Sequence, residues 1–140
     1  MPFRFLPDVA IADIAFEASS DSPTGLFEAC ADALTDVMVD PKTLKPAVRR
    51  KLSLEADDMD RLLYDFLTEL IVLKDVDSLL VLHANVEVSA NGKNLAADLR
   101  GEPIARDRHI LRNDAKAVTM HMFGIRHEGS EWKATVVLDI

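Results

Sequence analysis

Apolar and polar residues alternate through the last nine positions of the chain. Trp132, Ala134, Val136, Leu138 and Ile140 fall on one side, and Lys133, Thr135, Val137 and Asp139 on the other. A period of two is the pattern of a strand with one face in a core. The same alternation runs from Val9 to Ala18. Ala10, Ala12, Ile14, Phe16 and Ala18 make one wholly apolar face, and Ile11, Asp13, Ala15 and Glu17 make the other. Phe3 to Leu6, closed by Pro7, predicts a short entry strand.

The period then changes to that of a helix. Ser22-Pro23 offers an N-cap followed by a proline at the first helical position. Leu26, Phe27, Cys30, Leu34, Val37 and Met38 recur at helical spacing until Asp40-Pro41 stops the element. A second helix is expected to hold the three carboxylates of Asp57-Asp58-Met59-Asp60 in its first turn, where they suit the positive end of the dipole. It carries Leu62, Leu63, Phe66, Leu67, Leu70 and Ile71 to about Val76. Between the helices, Leu44 to Ala56 predicts a strand with Val48, Arg50, Leu52 and Leu54 on one face. Its Arg49-Arg50-Lys51 run suits an edge defended by charge.

The remainder predicts strands. Leu79 to Ser89 and Leu95 to Gly101 flank Asn91-Gly92, a two-residue hairpin signal. Glu102 to Asp114 is a polar connection. Ala115 to His127 predicts one strand, Glu128-Gly129-Ser130 a turn, and the final strand closes the chain. The fold class expected is α+β: a single domain over residues 1–140, with a largely antiparallel β-sheet packed against two amphipathic helices.

Composition narrows the function. The chain is 49% apolar over 140 residues, enough for a real core. A net charge of -8 argues against neutralising nucleic-acid phosphates, so no direct nucleic-acid binding is expected. It suits docking on a basic partner. A single cysteine excludes an internal disulfide framework. No signal-peptide pattern and no run of about eighteen apolar residues is present, so a cytoplasmic protein without a membrane span is expected.

Candidate chemistry is sparse. Phosphate-binding glycine loops, His-Glu-x-x-His, Cys-x-x-Cys and Gly-x-Ser-x-Gly are all missing. The Asp57–Asp60 run lacks the spacing and distal glutamate of a calcium loop. Cys30 lies on the first helix's apolar stripe and reads as core. His121 shares a strand face with Thr119 and is expected to be a buried histidine bonded to a neighbour. Lys116 opens that strand as a surface lysine. Asp13 differs, because a carboxylate among apolar neighbours needs a partner or a cation. Asp139, beside the terminal carboxylate of Ile140, is the second such group. Three oxygen donors suit calcium or magnesium rather than zinc.

The blocks Lys116-Ala-Val-Thr119-Met-His121 and Trp132-Lys-Ala-Thr-Val-Val-Leu-Asp139-Ile140 resemble the C-terminal signature of the archease family. Ala10-Ile-Ala-Asp13-Ile-Ala-Phe resembles its His-Thr-Ala-Asp-Ile-Gly motif. Leu62-Leu-Tyr-Asp-Phe-Leu-Thr-Glu69-Leu70 is similar to its second-helix segment, and Gly101-Glu102-Pro103 with His109 also fits. The resemblance covers nearly the whole chain in order. It implies a non-enzymatic accessory protein of the RNA-splicing ligase that joins tRNA halves. Such a protein promotes guanylylation of the ligase and so its multiple turnover. It also implies a divalent-metal site at Asp13, Asp139 and the carboxyl end at Ile140. Lys116 would be a partner or phosphate contact, with His121 and Glu69 as further candidates. The chain departs from the motif at Ala10, Ile11 and Ala15, which removes two polar neighbours from Asp13, and Thr68 stands where many members have Asn. A general chaperone or assembly module and a small metal-dependent hydrolase using Asp13, Asp139 and His121 are the alternative readings.

Overall fold

The computed structural model describes residues 2–6 and 13–140. Its organising strand is the last, β8 (Glu131–Asp139). β2 (Asp13–Ser20) lies along one edge of β8, with β1 (Phe3–Phe5) outside it. The other edge is shared. β6 (Ala117–Val118) pairs with the C-terminal end of β8, and β7 (Gly124–Glu128) with its N-terminal end. Every pairing is antiparallel. Ala134, Val136 and Leu138 turn into the main core as their alternation requires. Val137 and Thr135, on the opposite face, are buried as well. The strand's middle is therefore covered on both sides, and Asp139 is exposed at its end.

A second sheet holds β3 (Val48–Glu55), β5 (Asn94–Pro103) and β4 (Leu79–Val88), in the order β3-β5-β4. β3 is an edge strand with Arg49, Arg50 and Lys51 exposed, as expected for a charge-defended edge. β4 is the other edge, and α1 (Pro23–Met38) covers it. The Thr24 hydroxyl accepts from the Val88 N–H at 3.2 Å, and Glu28 Oε2 accepts from the Val86 N–H at 3.0 Å. Farther along, the Thr35 hydroxyl donates to the Val81 carbonyl at 2.6 Å. The ladder slips there: Val81 pairs with Gly101 and His83 with Arg100, leaving Leu82 as the extra residue of a bulge. Opposite the bulge a Cβ on Gly101 would lie 1.9 Å from the Leu80 carbonyl oxygen, so only glycine fits.

α1 starts at its expected cap, Ser22, whereas at α2 Asp58 is the cap and only Asp60 of the three expected carboxylates lies in the first turn. Ser22 Oγ accepts from the Gly25 N–H, and Asp58 Oδ1 from the Arg61 N–H. α2 (Met59–Asp77) buries one stripe, Leu62, Leu63, Phe66, Leu67, Leu70 and Ile71. α1 departs from the expected amphipathic pattern. It touches both sheets and is buried nearly all round, with Ala29, Ala31 and Ala33 on its crowded faces. Small side chains allow backbone to approach from two sides at once.

Two loops also differ from expectation. Ala115 to His127 is not one strand: the chain leaves the ladder after Val118 and turns, with the Phe123 N–H donating to the Met120 carbonyl. Phe123 packs edge-on to Tyr64 of α2, ring centroids 5.7 Å apart, and this contact draws the chain off β8. The Asn91-Gly92 turn is longer than two residues. Asn91 Oδ1 accepts from the Ser89 hydroxyl and the Lys93 N–H, and Gly92 takes a φ of 74°. No helix among the described residues is long and apolar enough to cross a membrane.

Candidate functional site

Pairing of β2 with β8 places Asp13 directly opposite Asp139. Cross-strand partners share a face with their Cβ atoms about 5 Å apart, so the two carboxylates stand side by side. Asp13 is half-buried and Asp139 exposed. Along the same face of β2, two positions on in each step, come Ala15 and then Glu17. Glu17 is held by Arg126 at 2.5 Å and Arg4 at 3.4 Å. Burial works against its charge, but these guanidiniums outweigh it and lower its pKa. Asp13 and Asp139 have no such cation: among the described residues neither makes an ion pair.

Ala117 of β6 faces Asp139 from the other edge of β8. The residue before it, Lys116, is exposed, and its N–H donates to the Asp139 carbonyl at 2.7 Å. The carbonyl of the same peptide unit, that of Ala115, accepts from Lys74 Nζ at 2.7 Å. Lys74 sits on α2 in line with the apolar stripe and is buried, with Asp75 at 3.0 Å and Asp114 also bonded to its ammonium. Burial pulls the Lys74 pKa down, yet Asp114 and Asp75 carry it above its ordinary value.

A second clasp holds the start of the same connection. Glu102, at the end of β5, is buried against His109 Nε2 at 2.6 Å and Arg108 at 2.7 Å, and it accepts from the Lys45 N–H at 3.2 Å. His109 Nδ1 accepts from the Ala105 N–H, so Nε2 carries the proton and donates to Glu102. These bonds, His109 first, hold the Glu102 carboxyl down at about 2.

The remaining candidates do not converge on the carboxylates. His121 is exposed at the turn after β6, its own N–H bonded to the Thr119 hydroxyl at 3.3 Å. The buried-histidine expectation for it is corrected: the turn lifts it off the ladder, and His109 is the buried histidine. Glu69 is half-buried on α2. Ile140 packs on the margin of the core, one residue beyond Asp139. Ala10 and Ile11 lie outside the described residues, and Ala15 is buried beside Val137. Cys30 is fully buried and burial pushes its thiol pKa far up, which fits core rather than nucleophile. Lys74 is absent from the candidates above, and its one signal in the sequence is a lysine standing in register with the apolar stripe of α2.

The model of the Archease protein family matches residues 3–140. The chain belongs to the archease family. Among archease relatives, that of Thermococcus gammatolerans is 34% identical over 132 residues, covering 92% of this chain and 93% of the relative. That of Methanothermobacter thermautotrophicus is 34% identical over 131 residues, with the same coverage. The solution structure of Methanobacterium thermoautotrophicum protein 1598 superposes with a TM-score of 0.81 at 32% identity, covering 99% of each chain. The crystal structure of an archease, a possible chaperone, from Thermotoga maritima gives a TM-score of 0.65 at 19% identity over 96% of each chain, and shows the shared fold.

The archease-family resemblance implies a divalent cation, and the donor set can be tested for it. Two facing carboxylates without a basic partner among the described residues fit a hard, oxygen-preferring ion. Among those residues no group of three or more His, Cys, Asp or Glu assembles. Were a cation bound there, Asp13 and Asp139 would supply two ligands, and any others would be main-chain oxygens, water or groups of a partner.

Proposed function

We propose that this archease-family chain is a non-enzymatic accessory protein that activates an RNA-splicing ligase, promoting its guanylylation and multiple turnover. The observation that carries the reading is the Asp13–Asp139 pair, two carboxylates opposed in register and without a paired cation among the described residues, while Glu17 on the same face is neutralised. Like charges placed opposite each other cost stability, so the pair favours a role over a purely structural one. Asp13, Asp139 and the main-chain oxygens at Ile140 would hold calcium or magnesium. Bound there, the ion would supply positive charge to phosphate oxygens at the ligase's nucleotide site. Lys116, exposed and tethered to the Asp139 backbone, would contact a phosphate or an acidic group of the ligase. The net charge of -8 favours approach to the basic surface that an RNA-binding enzyme presents.

The test is multiple-turnover ligation with purified ligase. Asp13→Ala and Asp139→Ala should fold and fail to stimulate, and full stimulation by both variants would refute the metal-site reading. A chaperone role is the second reading, favoured by the exposed Met120, Met122 and Ile110 and by the description of the Thermotoga maritima relative as a possible chaperone. It predicts protection of a client that is indifferent to chelator.

A further inference from the structure

We propose that Lys74 is a positioning residue for the candidate site, acting through the Ala115–Lys116 peptide unit that it shares with Asp139. The inference rests on the functional reading of Asp139 and Lys116. That one peptide is gripped at both ends: its carbonyl by the Lys74 ammonium and its N–H by the Asp139 carbonyl, each at 2.7 Å. A charged donor on the carbonyl polarises the amide and strengthens its N–H as a donor, so the two bonds support each other.

The choice of a lysine here is costly unless it does something. Position 74 continues the stripe Leu63, Phe66, Leu67, Leu70 and Ile71, where leucine or methionine would bury without desolvating a charge. The structure instead recruits Asp75 and Asp114 to keep the ammonium charged in a buried place. Arg112 and Asn113 are tied to the end of α1 through their N–H bonds to the Met38 and Val37 carbonyls, so the stretch that Lys74 holds is the one beyond them, residues 114–116. Residues 112–116 form no regular element, and β6 is two residues long. Ala115 is buried and Val118 reaches the core, but neither sets the tilt of the peptide plane between them and Asp139. That tilt decides where Lys116 leaves the backbone relative to the Asp13–Asp139 pair. Lys74 thus links the α2 core to the site without touching it.

The experiment compares Lys74→Met, Lys74→Arg and Asp114→Asn with the wild type in three readouts: amide hydrogen exchange at Lys116 by NMR, melting temperature, and stimulation of ligase turnover. Lys74→Met should speed Lys116 exchange about tenfold or more, as expected for loss of a charge-assisted bond, while Val136 and Leu138 of β8 stay protected. Stimulation should fall in parallel, and Lys74→Arg should restore both in part. If Lys74→Met does not fold, Asp114→Asn carries the test, because Asp114 is exposed and its loss loosens the ammonium without opening the core. It should speed Lys116 exchange selectively. Lys116→Ala and Asp139→Asn separate the two levels: full stimulation by both refutes the functional reading. Loss of stimulation by both, together with unchanged Lys116 exchange and turnover in Lys74→Met or Asp114→Asn, overturns the positioning role.

Discussion

Asp13 and Asp139 oppose each other across the β2–β8 ladder, and among the described residues no cation pairs with either. Two like charges at directly opposed positions repel, and the fold bears that cost at one end of the β2–β8 ladder. Asp139→Asn should therefore raise the melting temperature of the metal-free protein by roughly 2–4 °C, the equivalent of somewhat under 1 kcal/mol. Calcium or magnesium should raise the wild-type melting temperature and leave that of Asp139→Asn unmoved, since only a ligand bound to the folded state stabilises it. A variant that melts lower than wild type in chelator would show that the pair is a structural bond rather than a vacant charge.

The β4 edge offers a prediction independent of any ligand. Thr35 donates to a carbonyl at the bulge, and Thr35→Val keeps the shape while orphaning that buried oxygen. The cost should be about 1–3 kcal/mol. Gly101→Ala on the opposing strand drives a methyl into the Leu80 carbonyl and should cost about 3 kcal/mol or more. Urea unfolding of the two variants measures both. Losses under about 0.5 kcal/mol would mean that the bulge relaxes without either residue.

Periodicity made much of this fold readable. The alternation of Trp132 to Ile140 located β8, and Ser22-Pro23 and the Asp57–Asp60 run located the helix starts, because those signals are local. What pairs with what was not local. That Asp13 lands opposite Asp139 depends on the β2–β8 register, and the two positions are separated by almost the entire chain. Asp13 and Asp139 are both legible in the sequence as carboxylates on largely apolar strands, but the register that sets them face to face is not. The break between β6 and β7 depends on Phe123 meeting Tyr64, which no alternation pattern records. Gly101-Glu102-Pro103 and His109 are legible as a motif, but their role as a clasp depends on the connection folding back on β5.

That clasp should govern acid sensitivity. Glu102 is hydrogen-bonded by His109, Arg108 and the Lys45 N–H, and its folded-state pKa lies at about 2, below the unfolded value near 4.5. A depressed carboxyl contributes its stability fully above the unfolded pKa and loses it as pH falls through the folded one. The wild-type urea midpoint should therefore fall between about pH 5 and pH 2. Glu102→Gln should start lower at neutral pH, because Arg108 and His109 lose a charged acceptor, and should decline less over the same window. The Lys116 segment begins at this clasp, so the variant should also show faster amide exchange through residues 104–109. Parallel pH profiles for wild type and Glu102→Gln would assign the acid sensitivity to other carboxylates, with Glu17 the next to examine because Arg126 and Arg4 hold it below its ordinary range against the opposing effect of burial.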